Sequence, residues 1–441
     1  MDQGEHWLAP DAPRNRRDYC MPKCNTEGLA AGTCSQLRAE RPTRAGAGGG
    51  APLGIKTENY STPRNPGLPA ESTPLHVNPL TGAIQAERDG KLARAEKHML
   101  QATAREVLGK SHRIEKCGRW RAPQQEVKLW LEKEHRKAFF SGVRACALPW
   151  VCPCCAAKIS ERRRVELVAA VAAAKAMGWD VKLLTLTVPH GLGDDLEKLT
   201  ARMLAAFKRL SQGRVGKELR ELLGLKGTVR AFEVTYGANG FHPPFHVLLF
   251  LDKQWTNHGV HEAFVYHWQN ACRLAGLPIP HPSHGCRVDD GTYAAKYASK
   301  WGLESEMTKG HSKKGKQGGM TPFAFLRAIF NQDEKSPKFA ALFRIYHDAF
   351  KGKRQLHWSA GLRKLLGLDK EASDEELAAA QTESAALLAT LTADQWRAIV
   401  HANAQAHVLD VAEDHPERLG SRLEYLVTRY LEYRHRRRGA S

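Results

Sequence analysis

The period of the hydrophobic positions changes several times along the chain, and each change marks an element. Val181-Lys182-Leu183-Leu184-Thr185-Leu186-Thr187-Val188 is short, rich in branched residues and stopped by Pro189, which predicts a largely buried strand. Residues 228–236 and 241–251 predict two more strands, joined at Gly237-Ala238-Asn239-Gly240. Asn-Gly tolerates positive φ and is a strong hairpin signal. A 3.6-residue period predicts helices over about 156–177, 194–210, 261–274 and 291–301, the first halted at Gly178. From Thr321 onward the pattern is mostly helical, and a lysine- and glycine-rich stretch at 309–319 predicts a mobile basic loop. The middle of the chain is therefore α+β with antiparallel pairing.

Residues 1–105 behave differently. They contain Ala45-Gly46-Ala47-Gly48-Gly49-Gly50, scattered prolines and few large apolar residues, and predict a flexible arm with a short helix near 91–107. Four regions follow: the arm at 1–105, a cysteine-rich module at 106–160, a core at 161–305, and a basic loop with a helical region at 306–441. The first residues, Met1–His6, begin acidic with no apolar stretch behind them and predict no secretory signal. No apolar run reaches the length of a membrane span, and clustered cysteines in a chain of this length suit a reduced cytoplasm.

Charge narrows the partner. Lys and Arg number 66 against 47 Asp and Glu, a formal net charge of +19 over 441 residues. A polyanion is expected, nucleic acid first. Arg162, Arg163 and Arg164 form one cluster suited to phosphate contacts, and Arg434–Arg438 a second.

The chain has ten cysteines. Cys146, Cys152 and Cys155 follow C-x5-C-x2-C, with Cys117 upstream. A C-x2-C knuckle places two thiolates on one tetrahedral Zn²⁺, and Pro153 presets the turn between them. Cys117, Cys146, Cys152 and Cys155 are thus the candidate ligands of a structural zinc ion, which would supply folding energy to a module with little core of its own.

In the hairpin, a turn centred on Ala238-Asn239 sets Glu233 opposite Pro244, beside His242 and His246. A carboxylate with imidazoles on one sheet face is a candidate site for a divalent cation. Residues four apart on an extended strand are separated by roughly 13 Å. His242 and His246 therefore reach one ion only if the chain bends at Pro243-Pro244.

The third informative segment is Tyr293-Ala294-Ala295-Lys296-Tyr297-Ala298-Ser299-Lys300. On a helix Tyr293 and Tyr297 share one face, and Lys296 and Lys300 form a second pair about 100° away. A phenol with its usual pKa of about 10 is a weak nucleophile. It becomes effective where a metal polarises the phosphate it attacks and lysines offset the charge.

Taken together, these segments resemble the HUH superfamily of single-strand DNA endonucleases, and within it the bacterial plasmid rolling-circle replication initiators. The resemblance rests on Leu184–His190, on Asn239–His246 and on Tyr293–Lys300, in the family's order. It extends to the cysteine segment Cys146–Ile159 and to Gly352–Leu362. The resemblance implies an antiparallel HUH nuclease core with flanking helices, preceded by the zinc module and followed by the helical region. It implies Mg²⁺ or Mn²⁺ held by the second motif, here His246, His242 and Glu233. It implies Tyr297 as the nucleophile, Tyr293 as a second tyrosine for termination, and Lys296 and Lys300 as charge-offsetting groups. One position departs from the family's His-Pro-His-x-His pattern: Pro244 stands where a ligand histidine is expected.

The implied reaction nicks one strand of plasmid origin DNA, leaving a 5′-phosphotyrosine and a 3′-OH that primes a host polymerase, with a host helicase as a further partner. Two alternatives stay open: a transposase or relaxase of the same superfamily, and a zinc-stabilised DNA-binding protein whose nuclease site is weakened by Pro244.

Overall fold

The computed structural model describes residues 83–300, 319–379 and 384–438. Most of the expected arm (1–82) and the basic loop at 309–318 lie outside the described residues, as does the Lys300 side chain.

The strands are β1 (Val127–Glu132), β2 (Ala138–Ser141), β3 (Asp180–Leu186), β4 (Leu225–Phe232), β5 (Thr235–Gly237), β6 (Gly240–His242), β7 (Phe245–Leu251), β8 (Cys286–Asp289), β9 (Leu356–Trp358) and β10 (Ala385–Leu391). The helices are α1 (Ala83–Leu108), α2 (Pro153–Ala176), α3 (Leu196–Ser211), α4 (Gly213–Leu223), α5 (Asn257–Leu274), α6 (Pro282–Gly285) and α7 (Gly291–Lys300). After the undescribed segment come α8 (Pro322–Phe330), α9 (Ser336–Phe350), α10 (Leu362–Leu365), α11 (Asp374–Ala379), α12 (Ala393–His401), α13 (Gln405–Asp414) and α14 (Leu419–Arg438).

The central sheet has five strands in the order β8-β3-β7-β4-β9, every neighbouring pair antiparallel. Successive residues of a strand face opposite sides, and both sides here are apolar. Leu184, Leu186, Phe245, Val247 and Leu249 join one core with α3 and α5. Val181, Leu183, Leu248 and Phe250 join a second with the later half of α2 and with Ala294 and Ala298 of α7. This double burial is why β3 and β7 read as nearly continuous apolar runs. The α7 helix is thereby pinned on the second face, the face that His246 also occupies by alternation with Leu248.

The hairpin is split. β4 and β7 pair in the main sheet, whereas β5 and β6 form a separate two-stranded ribbon, and Pro243-Pro244 fill the break between β6 and β7. Proline has no N–H for the ladder, so the break falls where the chemistry requires it. Gly237 pairs with Gly240 around the Ala238-Asn239 turn, and Glu233 N–H donates to the Pro244 carbonyl at 3.4 Å, the expected register. Gly240 has φ +84°, and a side chain there would meet the Gly191 carbonyl at 2.9 Å. The turn therefore lies tightly on the loop that carries His190.

One arrangement departs from the linear regions read from sequence. β10 pairs with β1 along its whole length, from Val127↔Leu391 to Glu132↔Ala385, giving a second sheet β10-β1-β2. That sheet shares its own core with α12, α13 and α14 through Leu129, Trp396, Ile399, Val408 and Leu423. The helical C-terminal region is thus built on a hairpin that precedes the cysteine knuckle. The physical reason is that β1 and β2 alone bury too little to stand by themselves.

Candidate functional site

The cysteine cluster forms as expected. Cys117 ends a short 3₁₀ turn, Cys146 sits in the loop after β2, Cys152 is the N-cap of α2 and Cys155 lies in its first turn behind Pro153. The four sulfurs lie within 4.8 Å of one another and all four residues are buried. Sγ–Sγ distances are 3.8 Å for Cys117–Cys152, 3.5 Å for Cys117–Cys155 and 3.7 Å for Cys146–Cys155. Four sulfurs at about 2.3 Å from a tetrahedral zinc are separated by roughly 3.8 Å, so the donor set fits that ion. Three thiols directed at Cys155 hold its pKa well below the ordinary thiol value, while burial pushes Cys152 up. Cys154, between the knuckle positions, makes a weak contact to the Lys97 carbonyl instead.

A second layer supports the sulfurs. Gln101 Nε2 donates to Cys152 Sγ at 3.2 Å, and Arg105 Nη1 donates to Gln101 Oε1 at 3.1 Å. Both residues come from α1, and both are buried.

The second cluster lies where β4, β7 and α7 meet. Tyr297 Oη donates to Glu233 Oε1 at 2.8 Å, and His246 Nε2 lies 3.4 Å from Glu233 Oε2. The His246 and Tyr297 rings are 5.2 Å apart. His246 Nδ1 contacts Thr185 Oγ1 at 3.1 Å. The Glu233 side chain keeps 38% exposure, so this carboxylate bridges the imidazole and the phenol while remaining open to solvent. Burial opposes its ionisation, but the charge and hydrogen bond of His246, with that of Tyr297, outweigh burial and hold its pKa below the usual value. Burial likewise opposes charge on His246; Glu233, with a smaller contribution from Asp289, prevails and raises its pKa.

His242, the last residue of β6 before the proline break, does not join Glu233 and His246 in one ligand cluster and meets a residue not singled out as a ligand from the sequence. His190 Nε2 and His242 Nδ1 are 2.9 Å apart, and His190 Nδ1 is 2.9 Å from the Asn239 carbonyl. A carbonyl only accepts, so His190 carries its proton on Nδ1 and His242 donates through Nδ1. This leaves the lone pair of His242 on Nε2. Burial, then His190 and His246, push His242 down to about pKa 4, which keeps that lone pair available. The signal for His190 was present in sequence as the last residue of Leu184–His190. Its partner was hidden because the contact crosses from a loop to the end of β6.

The remaining sequence candidates separate. Tyr293, one turn before Tyr297, is 51% exposed and holds no part of the Glu233 contact. Lys296 Nζ sits 5.8 Å from the Tyr293 ring. The N-terminus of their helix is fixed by Asp290, whose Oδ1 accepts from the N–H groups of Thr292 and Tyr293. The arginine cluster does not act as one surface. Arg163 is buried and bound to Glu371 at 3.0 Å, Glu166 at 3.4 Å and Asp374 at 3.4 Å, while Arg164 pairs with Glu161. Arg162 is half-buried on the same turn. On a helix three consecutive residues point in three directions, so one of the three had to face inward.

Residues 137–405 match the family described as Replication protein, Rep_1. The match covers more than half of the chain, and the chain belongs to this family. It is similar to the Protein rep of Streptomyces lividans, with 26% identity over 331 residues, spanning 58% of this chain and 73% of that protein. No solved structure matches it. The matched span contains Glu233, His242, His246, Tyr297 and three of the four clustered cysteines, but neither Cys117 nor α1. Among the described residues, no helix is long and apolar enough to cross a membrane.

Proposed function

We propose that this replication protein initiates rolling-circle replication of a plasmid by nicking one strand of origin DNA with Tyr297, and that the five-stranded sheet is its HUH nuclease core. The observation that carries this reading is the convergence of Tyr297, Glu233 and His246, from three separate segments of the chain, at hydrogen-bonding distances. The Tyr297 phenol already directs its proton at Glu233. Attack of its oxygen on the scissile phosphorus forms the Tyr–O–P bond, breaks the P–O3′ bond and passes the phenolic proton to the carboxylate. The 3′-oxygen leaves with the bonding pair and takes a proton from solvent, so the products are a 5′-phosphotyrosine and a 3′-OH available to a host polymerase, with a host helicase opening the duplex ahead. Tyr293, exposed on the same helix, would attack the regenerated junction at termination.

Glu233 and His246 offer oxygen and nitrogen donors that fit Mg²⁺ or Mn²⁺. Thr185 can accept from His246 Nδ1–H, which frees Nε2 for the ion; His242, outside the Glu233–His246 pair, would offer its Nε2 only after a shift toward them. When bound, the ion would polarise a non-bridging phosphate oxygen. A zinc-stabilised DNA-binding protein without cleavage is the competing reading, and Pro244 is its support.

The test incubates the protein and Mn²⁺ with single-stranded oligonucleotides tiled across the DNA that carries the gene, followed by denaturing gel analysis. A cleaved product with a covalent adduct on the parent protein, absent from Tyr297→Phe, is the expected result. Binding without cleavage across the whole set, unrepaired by Pro244→His, would select the competing reading.

A further inference from the structure

The last buried residue of α14 is Leu426, yet the helix continues to Arg438. Three further turns follow with no described residue fully buried, and only Val427 and Tyr430 at their base still pack against the core. Such a segment has little reason to be helical from packing, since short isolated helices are marginal. It is held by its own surface pairs instead. Arg434 lies over the Tyr430 ring at 5.8 Å and Arg437 over Tyr433 at 5.6 Å, both one turn apart. Glu432 accepts from Arg429 at 3.4 Å and lies 3.7 Å from Arg436. The His401 ring of α12 lies tilted against Tyr430 and Tyr433 at 5.3 and 4.3 Å and braces the base of the extension.

The extension carries Arg429, Arg434, Arg436, Arg437 and Arg438 against Glu432 alone, a net charge of +4 before His435 is counted. Arg429 and Arg436 are 62% and 73% exposed even with their shared carboxylate. An exposed helix with this density of guanidinium groups suits the repeated phosphates of a duplex better than a compact anion. We propose that the C-terminal half of α14 is a duplex-DNA-binding helix, contacting phosphates through Arg429, Arg434, Arg436 and Arg437. The choice of DNA as the polyanion rests on the replication reading above. The placement of the contact rests on the helix itself, outside the span matched by the family.

The test measures fluorescence anisotropy of a labelled mixed-sequence DNA duplex, over a series of salt concentrations and without added divalent ions, so that cleavage plays no part. Three full-length variants are compared with the parent. In the first, Arg429, Arg434, Arg436 and Arg437 become Gln; in the second, the same four become Lys. The third is a charge-matched control in which exposed Lys198, Arg209, Arg214 and Lys217 become Gln. The Gln variant of α14 is expected to lose roughly tenfold or more in affinity, with a salt slope shallower by about 0.9 for each phosphate that is no longer neutralised. The Lys variant, which keeps charge and helix, is expected to stay within a few-fold of the parent. An α14 Gln variant that binds like the parent, or a control that weakens as much, would overturn the proposal. So would preferential loss of single-stranded DNA or RNA competitors while duplex affinity is kept.

Discussion

Tyr297 and Glu233 stand 64 residues apart in sequence and share a 2.8 Å hydrogen bond. Tyr293, on the same helix, makes no such bond and stays exposed. This asymmetry separates the two tyrosines. Tyr297→Phe is expected to abolish the covalent adduct with single-stranded DNA, whereas Tyr293→Phe keeps the first adduct and loses only strand rejoining. Denaturing gels of labelled oligonucleotides distinguish the two; equal loss in both variants would remove the assignment. The Phe variant also loses one hydrogen bond to a half-exposed carboxylate, so its thermal stability should fall by no more than about 1 kcal/mol.

His190 acts through His242. Its Nε2 accepts from His242, and its Nδ1 donates to the Asn239 carbonyl, so the ring fixes which nitrogen of His242 holds a lone pair. His190→Ala is expected to weaken Mn²⁺ binding roughly 10- to 100-fold, as loss of an outer-shell partner does. His190→Gln, which can both donate and accept, should restore part of it. Electron paramagnetic resonance of free Mn²⁺ reads this without reference to activity. Unchanged Mn²⁺ affinity in the Ala variant would separate the pair from the metal.

Four thiolates around Zn²⁺ carry two net negative charges in a buried setting, and buried charge needs a partner. Arg105, buried and relayed through Gln101 to Cys152, is placed to supply it. Gln101→Leu and Arg105→Met should each speed zinc release to a chromogenic chelator, by roughly 10-fold or more. A chelator is expected to lower the melting temperature of the chain by taking zinc from these four cysteines, and an unchanged melting temperature would remove zinc from the account of the module.

Arg163 belongs to the fold. Three carboxylates surround it, and a buried guanidinium that loses its place leaves them facing one another. Arg163→Met should cost about 3 to 5 kcal/mol in unfolding free energy, while the salt dependence of duplex binding stays that of the parent. A stable variant with a shallower salt slope would return this residue to the DNA surface.

Acid should loosen the molecule before its carboxylates titrate. Burial, then the charges of Lys97, Arg105, Arg94 and Lys158, push His98 from 6.5 to about 4. The unfolded chain binds a proton there that the folded chain refuses. Stability is thus complete above pH 6.5 and falls as pH drops toward 4. His98→Gln should flatten the melting-temperature profile in this window relative to the parent, and an unaltered slope would contradict the assignment.

Much of this was legible from local chemistry. The Asn239-Gly240 turn, the register that brings Glu233 to Pro244, the proline break and the cysteine knuckle are each set by residues within a few positions of one another. What escaped depends on long-range packing. Nothing in Ala385–Leu391 marks it as the partner of Val127–Glu132, because an apolar strand carries no address for its neighbour. The meeting of His190 with His242 is decided by how a loop lies on the end of β6, and the inward turn of Arg163 by carboxylates some two hundred residues away.

The pairing of β1 with β10 also has a consequence in time. A ribosome delivers β1 and β2 long before Ala385–Leu391 exists, so the growing chain carries an open strand edge through most of its synthesis. That edge is a hazard until the last strand arrives to seal it. A transcript cut short before residue 385 would release a protein with its five-stranded sheet complete and its β1-β2 edge unsealed. Such a product is expected to aggregate, which makes the safety of a strand laid down early depend on one delivered more than two hundred residues later.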